Sequence, residues 1–532
     1  MPRDIAATAG QLPQSLPAWL PFLWSRVLFA GVDRPNSALR WRSLLVLLVL
    51  PGALLYPCLG FHLLEPDEGR YAEIPREMLV RGEWVVPQLQ GQPYLDKPPL
   101  LYWLVMLSYQ LFGVDDWSAR LVPALAMHAC ILCVYLIGRR SVGERFAFWG
   151  GLLLSLAPGF ISMGRLLVLD GLLTLWVTLS ILSAFEAVRG ERFRWSWWLL
   201  ASAACGLGVL TKGPVAVVLL AVPLAAYRRL TRQSQRVPWS AIFAFLSIVL
   251  AVCLPWTLAL CRRQPEFFRY FVWEHNVVRY LTGFDHKRPV WFYGPVLLTG
   301  LLPATLLLLP FVRFLFSGDV GIARRRIPEL GFLLLAGGWC VAFFSLSGSK
   351  LPTYILPSFP LLALALGYYV ANSNWRFSHA THVAAALMFV GLFTAHLIAV
   401  PWYAECRSPM GRPEEILRHC GDPGIRIVCY ARNCDSVAFY LGRDDLRSYH
   451  SKHTHLLIQA LFEHPRTVIL CTHRHSLSGL QTMLPPQLRL VDHAPIRLRG
   501  IPGLAGWFAE HLNDWIGETP WGLCDVAVVE RH

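Results

Sequence analysis

Eleven stretches of mostly apolar residues are separated by short polar, often charged, turns. They lie near 43–61, 118–137, 146–163, 171–187, 195–211, 213–227, 239–260, 292–312, 329–346, 352–370 and 382–401. A membrane-crossing helix needs ~20 such residues, so the pattern predicts a bundle of spanning helices. The pair 195–211 and 213–227 is short and closely spaced, and 16–30 is a weaker apolar stretch. The pattern breaks after residue 401. IRIVCY (425–430) and RTVILC (466–471) are short apolar runs suited to buried parallel strands, each followed by a helix-like stretch, DSVAFYLG and HSLSGLQTML. CDVAVVE (524–530) reads as a late strand, and the tail as a small α/β domain.

Composition strengthens the membrane reading. Of 532 residues, 55% are hydrophobic and 15% charged, against about 25% charged in an ordinary soluble domain. That excludes a water-soluble globule, a disordered chain and a fibrous repeat. The net charge of +14 would suit a nucleic-acid binder, but the tail from 402 carries fourteen basic and fourteen acidic residues. The whole excess therefore belongs to the helical part, where basic cytoplasmic loops explain it without nucleic acid.

Loop charge sets the orientation. With 1–42 in the cytoplasm, the segments 138–145, 188–194, 228–238, 313–328 and 371–381 are also inside, and together these carry nearly all the excess positive charge. No cleavable signal peptide is expected, because a long polar lead precedes an apolar run that continues as a full span. The opposite side then holds two long loops, 62–117 and 261–291, three short turns and the domain 402–532. The division is a cytoplasmic segment 1–42, a transmembrane domain 43–401 and an outer α/β domain. Seven of the thirteen cysteines lie in or beside spans and six in the tail, where an oxidising compartment permits disulfides but spacing selects none. The tail histidines, including His453–His455 and His473–His475, read as solvated loop residues rather than metal ligands.

Chemistry gathers on the outer side. LLEPDEGRYAEIPREML sets Glu65, Asp67, Glu68, Glu73 and Glu77 beside Arg70 and Arg76 directly after the first span. Glu73, Arg76 and Glu77 read as a solvated helix face paired at helical spacing. Asp96 and Lys97 precede a Pro-Pro pair, which narrows the conformations open to that lysine. Asp170 stands alone in GRLLVLDGLLTLWVTL, where a carboxylate is costly unless it faces a cavity. The loop CRRQPEFFRYFVWEHNVVRYLTGFDHKRPV is basic on the side that usually lacks such charge, and aromatics interleave it. Lys212, and Lys350 with Tyr354, add cationic turns at outer helix ends. Arg and Lys at that depth suit a membrane-embedded phosphate, and together these groups predict an outward cavity with two or three acids and several cations. The sequence shows no Gly-rich phosphate loop and no dinucleotide fingerprint, so the energy of any reaction arrives with the substrate.

EPDEGRYAEIPREM, YLDKPPLLYW, the LDG of the fourth span, LTKGP, FFRYFVWEHNVVRY and SGSKLPTYILPSFP, in that order over 40–370, resemble the C-type glycosyltransferases that use polyprenyl-phosphate sugars. The likeness is strongest to the bacterial lipid A 4-amino-4-deoxy-L-arabinose transferase family. The resemblance implies a GT-C fold with about 11–13 spans and a soluble α/β domain, in the bacterial inner membrane with the site facing the periplasm. It implies an undecaprenyl-phosphate-linked sugar as donor and a lipid A phosphate as acceptor. Asp67 and Asp170 match the family's catalytic acids, and Arg70, Lys97, Arg279 and Tyr354 match groups near the donor phosphate. Lys212 and Lys350 are further candidate substrate contacts. Asp96, with Glu274 or His275 opposite, matches a pair that could hold a divalent metal, Zn or Mg.

The residues are compatible with Asp67 as general base toward a hydroxyl acceptor, or as an orienting group beside an acceptor phosphate. A relative carrying another sugar, or transferring to protein, is the alternative within the enzyme class. A lipid or ion transporter is the alternative outside it, but the sequence lacks the repeated halves and broken helices expected of one.

Overall fold

The computed structural model describes residues 37–231, 237–283, 286–373, 379–408, 410, 413–422, 424–472, 476–497 and 523–531. The stretch 16–30 and His473–His475 lie outside the described residues.

Every one of the eleven apolar runs lies on helix. α1 is Ser37–Leu55; α2 (Asp67–Arg81) and α3 (Leu100–Phe112) belong to the first long loop. The bundle continues with α4 (Asp116–Ser141), α5 (Glu144–Ser155), α6 (Pro158–Gly164), α7 (Leu169–Val188), α8 (Trp195–Lys212), α9 (Val215–Leu230) and α10 (Trp239–Arg263). It closes with α11 (Val290–Gly300), α12 (Ala304–Phe316), α13 (Pro328–Leu346), α14 (Ser358–Asn372) and α15 (His379–Glu405).

Among the described residues, α4, α7, α10, α13 and α15 are long and apolar enough to cross a membrane singly. The pairs α5–α6 and α11–α12 qualify as broken spans bent by 67° and 104°. By this measure five to seven of the eleven expected spans reach crossing length. The rest fall short in length or in apolar character: α14 has 15 residues, about 23 Å at ~1.5 Å per residue, against a hydrocarbon core of ~30 Å. Prolines explain the breaks: Pro158 starts α6 and Pro303 separates α11 from α12.

α7 packs between α4 and α8, with α10 on the far side of α8 and α14 against α5. The turns joining the helices sort into two groups. At one end, buried Glu186 takes Arg189 at 2.7 Å and Arg194 at 3.0 Å, Arg189 lies 3.6 Å from Glu329, and Arg145 donates to the Ala371 carbonyl. At the other end the first long loop meets the loop after α10 and the turn 347–351. This sorting is what alternating crossings require.

The tail forms a five-stranded mixed sheet. β1 (Arg426–Ala431), β2 (Arg447–His450) and β3 (Arg466–Cys471) are mutually parallel, while β5 (Leu523–Arg531) runs antiparallel to both of its neighbours, β3 and β4 (Leu488–Arg497), in the order β2-β1-β3-β5-β4. Alternate residues face alternate layers. Ile427, Cys429, Val468 and Leu470 pack with Val437 and Ala438 of α16 (Asp435–Leu441). Val428, Tyr430, Ile469 and Cys471 pack with Leu457 and Leu480 on the other face. The domain docks on α2 through α16. The Tyr440 hydroxyl accepts from the Leu63 amide at 2.8 Å and donates to Asp116 at 2.8 Å, and Arg81 pairs with Asp444 at 2.6 Å.

One expectation about α2 is overturned. Glu73, Arg76 and Glu77 are buried rather than solvated. Arg76 donates twice to Glu73 at 2.6 Å, and Glu77 accepts the amides of Gln90 and Gly91 at 2.5 and 3.0 Å. The docked domain and the hairpin at 88–93 cover the face that the helix would otherwise turn to water.

Candidate active site

The candidate residues occupy two neighbouring clusters. The first surrounds a cavity of about 290 Å³ lined by Lys97, Lys212, His275, Arg279, Ser349 and Tyr354, with Val215, Val218, Leu281, Phe343 and Phe344 as its apolar wall. Lys97 enters from the loop before α3, Lys212 from the end of α8, and His275 and Arg279 from a π-helical stretch, Arg269–Val278, and the turn after it. Phe271 of that stretch and Phe267 just before it are buried while Trp273 and Phe268 are exposed, so the segment's amphipathic faces hold it flat against the bundle. Gly283, at φ 64°, lets this segment turn onto the 347–351 turn: a Cβ there would lie 2.7 Å from the Gly348 carbonyl carbon. The Gly348 amide donates to the Tyr280 carbonyl at 2.7 Å, and Lys287 bridges to Ser349.

Three cations converge. Lys97 Nζ lies 2.7 Å from His275 Nε2, and Arg279 Nη1 lies 3.3 Å from the same nitrogen. Lys212 Nζ sits 4.3 Å from the centre of the Tyr354 ring and 2.5 Å from Asp170 Oδ1. Burial, with Lys212 and Arg279 close by, lowers the Lys97 ammonium to about 7. A group in that state gains its charge when an anion arrives. Asp170, in the first turn of α7, stands behind Lys212 rather than in the lining, so the cavity is cationic and its acids lie outside it. Lys350 is buried and gives its Nζ to the Ser347 carbonyl at 2.5 Å, which fixes the turn.

The second cluster gathers at the start of α2, beside Tyr94. Asp67 opens α2 with its side chain half exposed, and Arg70 Nη1 lies 3.8 Å from its Oδ1. The same guanidinium lies 3.8 Å from Asp435 of the C-terminal domain and 5.8 Å from the Tyr94 ring centre. Arg70 therefore belongs with Asp67 and is absent from the cavity lining. Tyr94, enclosed between Arg70, Asp96 and Asp67, has its hydroxyl pushed up mainly by burial. Sequence reasoning passed over Tyr94 and Tyr270, although both flank residues it had chosen. It had no signal for Asp435.

The metal set does not assemble in this arrangement. Asp96 accepts from the Tyr270 hydroxyl at 2.5 Å; burial works to raise its carboxyl, and Tyr270, His275 and Lys97 outweigh that and lower it. Glu274 is half exposed and lies 3.8 Å from Arg269, while His275 Nε2 faces two cations. Among the described residues no group of three or more His, Cys, Asp or Glu is placed to hold a metal ion.

Comparison with known proteins identifies the family and the fold. The dolichyl-phosphate-mannose-protein mannosyltransferase family matches residues 40–271. The undecaprenyl phosphate-alpha-4-amino-4-deoxy-L-arabinose arabinosyl transferase of Yersinia enterocolitica is 36% identical over 400 residues, 72% of this chain and 71% of the relative. The enzyme of the same name from Edwardsiella ictaluri is 35% identical over 379 residues, covering 68% of this chain and 66% of the relative. The crystal structure of ArnT from Cupriavidus metallidurans bound to undecaprenyl phosphate superimposes with a TM-score of 0.71 at 20% identity, over 92% of this chain and 98% of that one. It shares the fold, a GT-C helical bundle carrying a C-terminal sheet domain. The chain is a multi-pass membrane glycosyltransferase and belongs to the undecaprenyl phosphate-4-amino-4-deoxy-L-arabinose arabinosyl transferase family.

Proposed function

We propose that this enzyme moves 4-amino-4-deoxy-L-arabinose from undecaprenyl phosphate to a phosphate of lipid A, with inversion, at the periplasmic face of the inner membrane. The observation that carries the reading is the convergence of Lys97, Arg279 and Lys212 on one cavity with an apolar wall. That combination suits a phosphate headed by a sugar and trailed by a hydrocarbon chain, and the names of the relatives supply the sugar.

The chemistry follows from where charge develops. As the bond from the sugar's anomeric carbon to the phosphate oxygen breaks, its electron pair passes to that oxygen. Cations already fixed there stabilise the transition state more than the ground state. Lys97 and Arg279 meet at His275, and Lys212 is aimed by Asp170, so these donors need little reorganisation when the charge forms. Asp67 lies outside the cation-lined cavity, paired with Arg70. An acceptor phosphate is already anionic and needs no base, so Asp67 orients the incoming group or the amino group of the sugar. A single displacement inverts the anomeric carbon.

The direct test is mass spectrometry of lipid A from cells with and without this gene. A species heavier by one aminoarabinose is expected only with the gene, and is lost with Asp67→Asn at matched protein level. Lipid A unchanged by the gene, with a glycan altered elsewhere in the envelope, would transfer the reading to another acceptor.

A further inference from the structure

The parallel part of the C-terminal sheet runs β2-β1-β3, so the chain leaves β1 to one side and returns on the other. Open α/β sheets carry their functional groups outside the carboxyl ends of strands at such a switch. Here the loop leaving β1 leads straight into α16 and faces α2 of the membrane domain instead of solvent. Asp435, the first residue of α16, is buried there and accepts from Gln90 Nε2 at 2.6 Å. The next amide, of Ser436, donates to Glu65 Oε1 at 2.6 Å. Gly69 makes the approach feasible: a Cβ on it would lie 2.6 Å from that amide nitrogen and 2.7 Å from Glu65 Oε1. Two carboxylate oxygens, Glu65 Oε2 and Asp435 Oδ2, are enclosed with no hydrogen-bond partner. Asp435 Oδ2 lies 3.8 Å from Arg70 Nε, and Arg70 Nη1 lies 3.8 Å from Asp67 Oδ1.

We propose that Asp435 is a positioning residue for sugar transfer: it holds one side of the Arg70 guanidinium from the C-terminal domain while Asp67 holds the other, so the domain fixes where the Asp67 carboxylate points. This rests on the role given to Asp67 above. A buried acid serving only to dock the domain would have its oxygens saturated, as Glu77 does with two backbone amides. Asp435 instead keeps Oδ2 without a hydrogen bond, 3.8 Å from the guanidinium. Burial, reinforced by Asp435, pushes the Glu65 carboxyl up to about 8, and burial pushes Asp435 up to about 6 against the pull of Arg70. Glu77, Tyr71, Tyr94 and Asn433 complete the surroundings.

Steady-state transfer by the purified full-length enzyme, with undecaprenyl-phosphate-linked aminoarabinose and lipid A, tests this. Asp435→Asn should lower kcat at least tenfold with KM for the donor within twofold, and Asp435→Glu should recover part of the loss. Arg70→Ala and the Arg70→Ala/Asp435→Asn double variant should have kcat values within twofold of each other. Asp444→Asn, which removes only the neighbouring docking contact with Arg81, should stay within twofold of the unaltered enzyme. A kcat within twofold of normal in Asp435→Asn overturns the proposal, as does an equal loss in Asp444→Asn. Hydrogen exchange separates this from failure of the proposed activity. Whatever sugar is moved, Asp435→Asn should speed exchange of the amides of residues 67–71 and leave those of 476–483 unchanged. Unchanged exchange at 67–71 overturns the positioning even if transfer is lost.

Discussion

Two ion pairs near the same end of the bundle, one fully buried and one partly so, have opposite characters. Arg120 meets Glu68 with two bonds of 2.8 Å and spends its other donors on the carbonyls of Leu59, Phe61 and His62. Glu68 in turn accepts the amides of Leu64 and Leu167. Nothing is left over on either partner. Asp170 and Lys212 share one short bond, and the ammonium also lines the cavity, resting on the Tyr354 ring. A saturated pair ties α4, the turn before α7 and the first loop into one scaffold. A pair with donors to spare, turned toward a cavity, is a site waiting for an anion. The count of satisfied donors marks the difference more sharply than the modest difference in burial.

The largest effect should come from breaking the saturated pair. Arg120→Ala or Glu68→Ala leaves a buried charge unpaired, which costs about 3–5 kcal/mol. Both variants should lose most folded protein, read as recovery and thermal melting in detergent, irrespective of any substrate. Folded, active protein from either would show that saturation is no mark of scaffolding.

The open pair should behave in the reverse way. Lys212→Met should keep the fold and lower transfer by roughly a hundredfold, the scale for removing one preorganised donor from a developing charge. Asp170→Asn should be milder, because it misdirects Lys212 without deleting it. A Lys212→Met enzyme that fails to fold would place this pair with the first.

A smaller effect concerns pH. The Lys97 cation is present below about 7 and lost above it, whereas in the unfolded chain it persists to the ordinary lysine range. Between these limits the unfolded state binds the extra proton, so the ligand-free fold gains stability from Lys97 as pH rises. Donor binding runs the other way. The donor's phosphodiester keeps its charge throughout, so affinity should fall as pH climbs through 7, by at most about tenfold per unit. Binding should take up protons, measurable by calorimetry in buffers of different ionisation heat. Lys97→Met should flatten the dependence.

The sequence made some of this legible and hid the rest for identifiable reasons. IRIVCY and RTVILC were readable as strands because both faces of the sheet are covered, which gives continuous apolar runs. The outlying strands Arg447–His450 and Leu488–Arg497 mix polar and apolar positions and gave no such signal. Asp170 stood out as a lone acid in an apolar stretch. Arg120 gives the same signal inside 118–137 and was passed over, although that argument applies to it equally. Lys97, Lys212, Arg279 and Tyr354 were readable as one site, since alternating crossings put their loops on one side. The division into a cationic cavity and a separate acid cluster was not, because it depends on which way each side chain turns. Asp435 lies 368 positions beyond Asp67 in an ordinary-looking helix start, and only the docking of the domain brings it to Arg70.

The central claim is that residues from separate loops meet on one donor phosphate, and a double-variant cycle on donor binding tests it most directly. Lys97 and Arg279 approach the same His275 nitrogen, at 2.7 and 3.3 Å. Residues sharing a partner show coupling on the order of 0.5–3 kcal/mol, whereas independent sites add. Affinity for undecaprenyl phosphate should fall in Lys97→Ala and in Arg279→Ala, and the double variant should be little worse than the worse single one. Unchanged affinity in both single variants, or losses that simply add, would contradict the account.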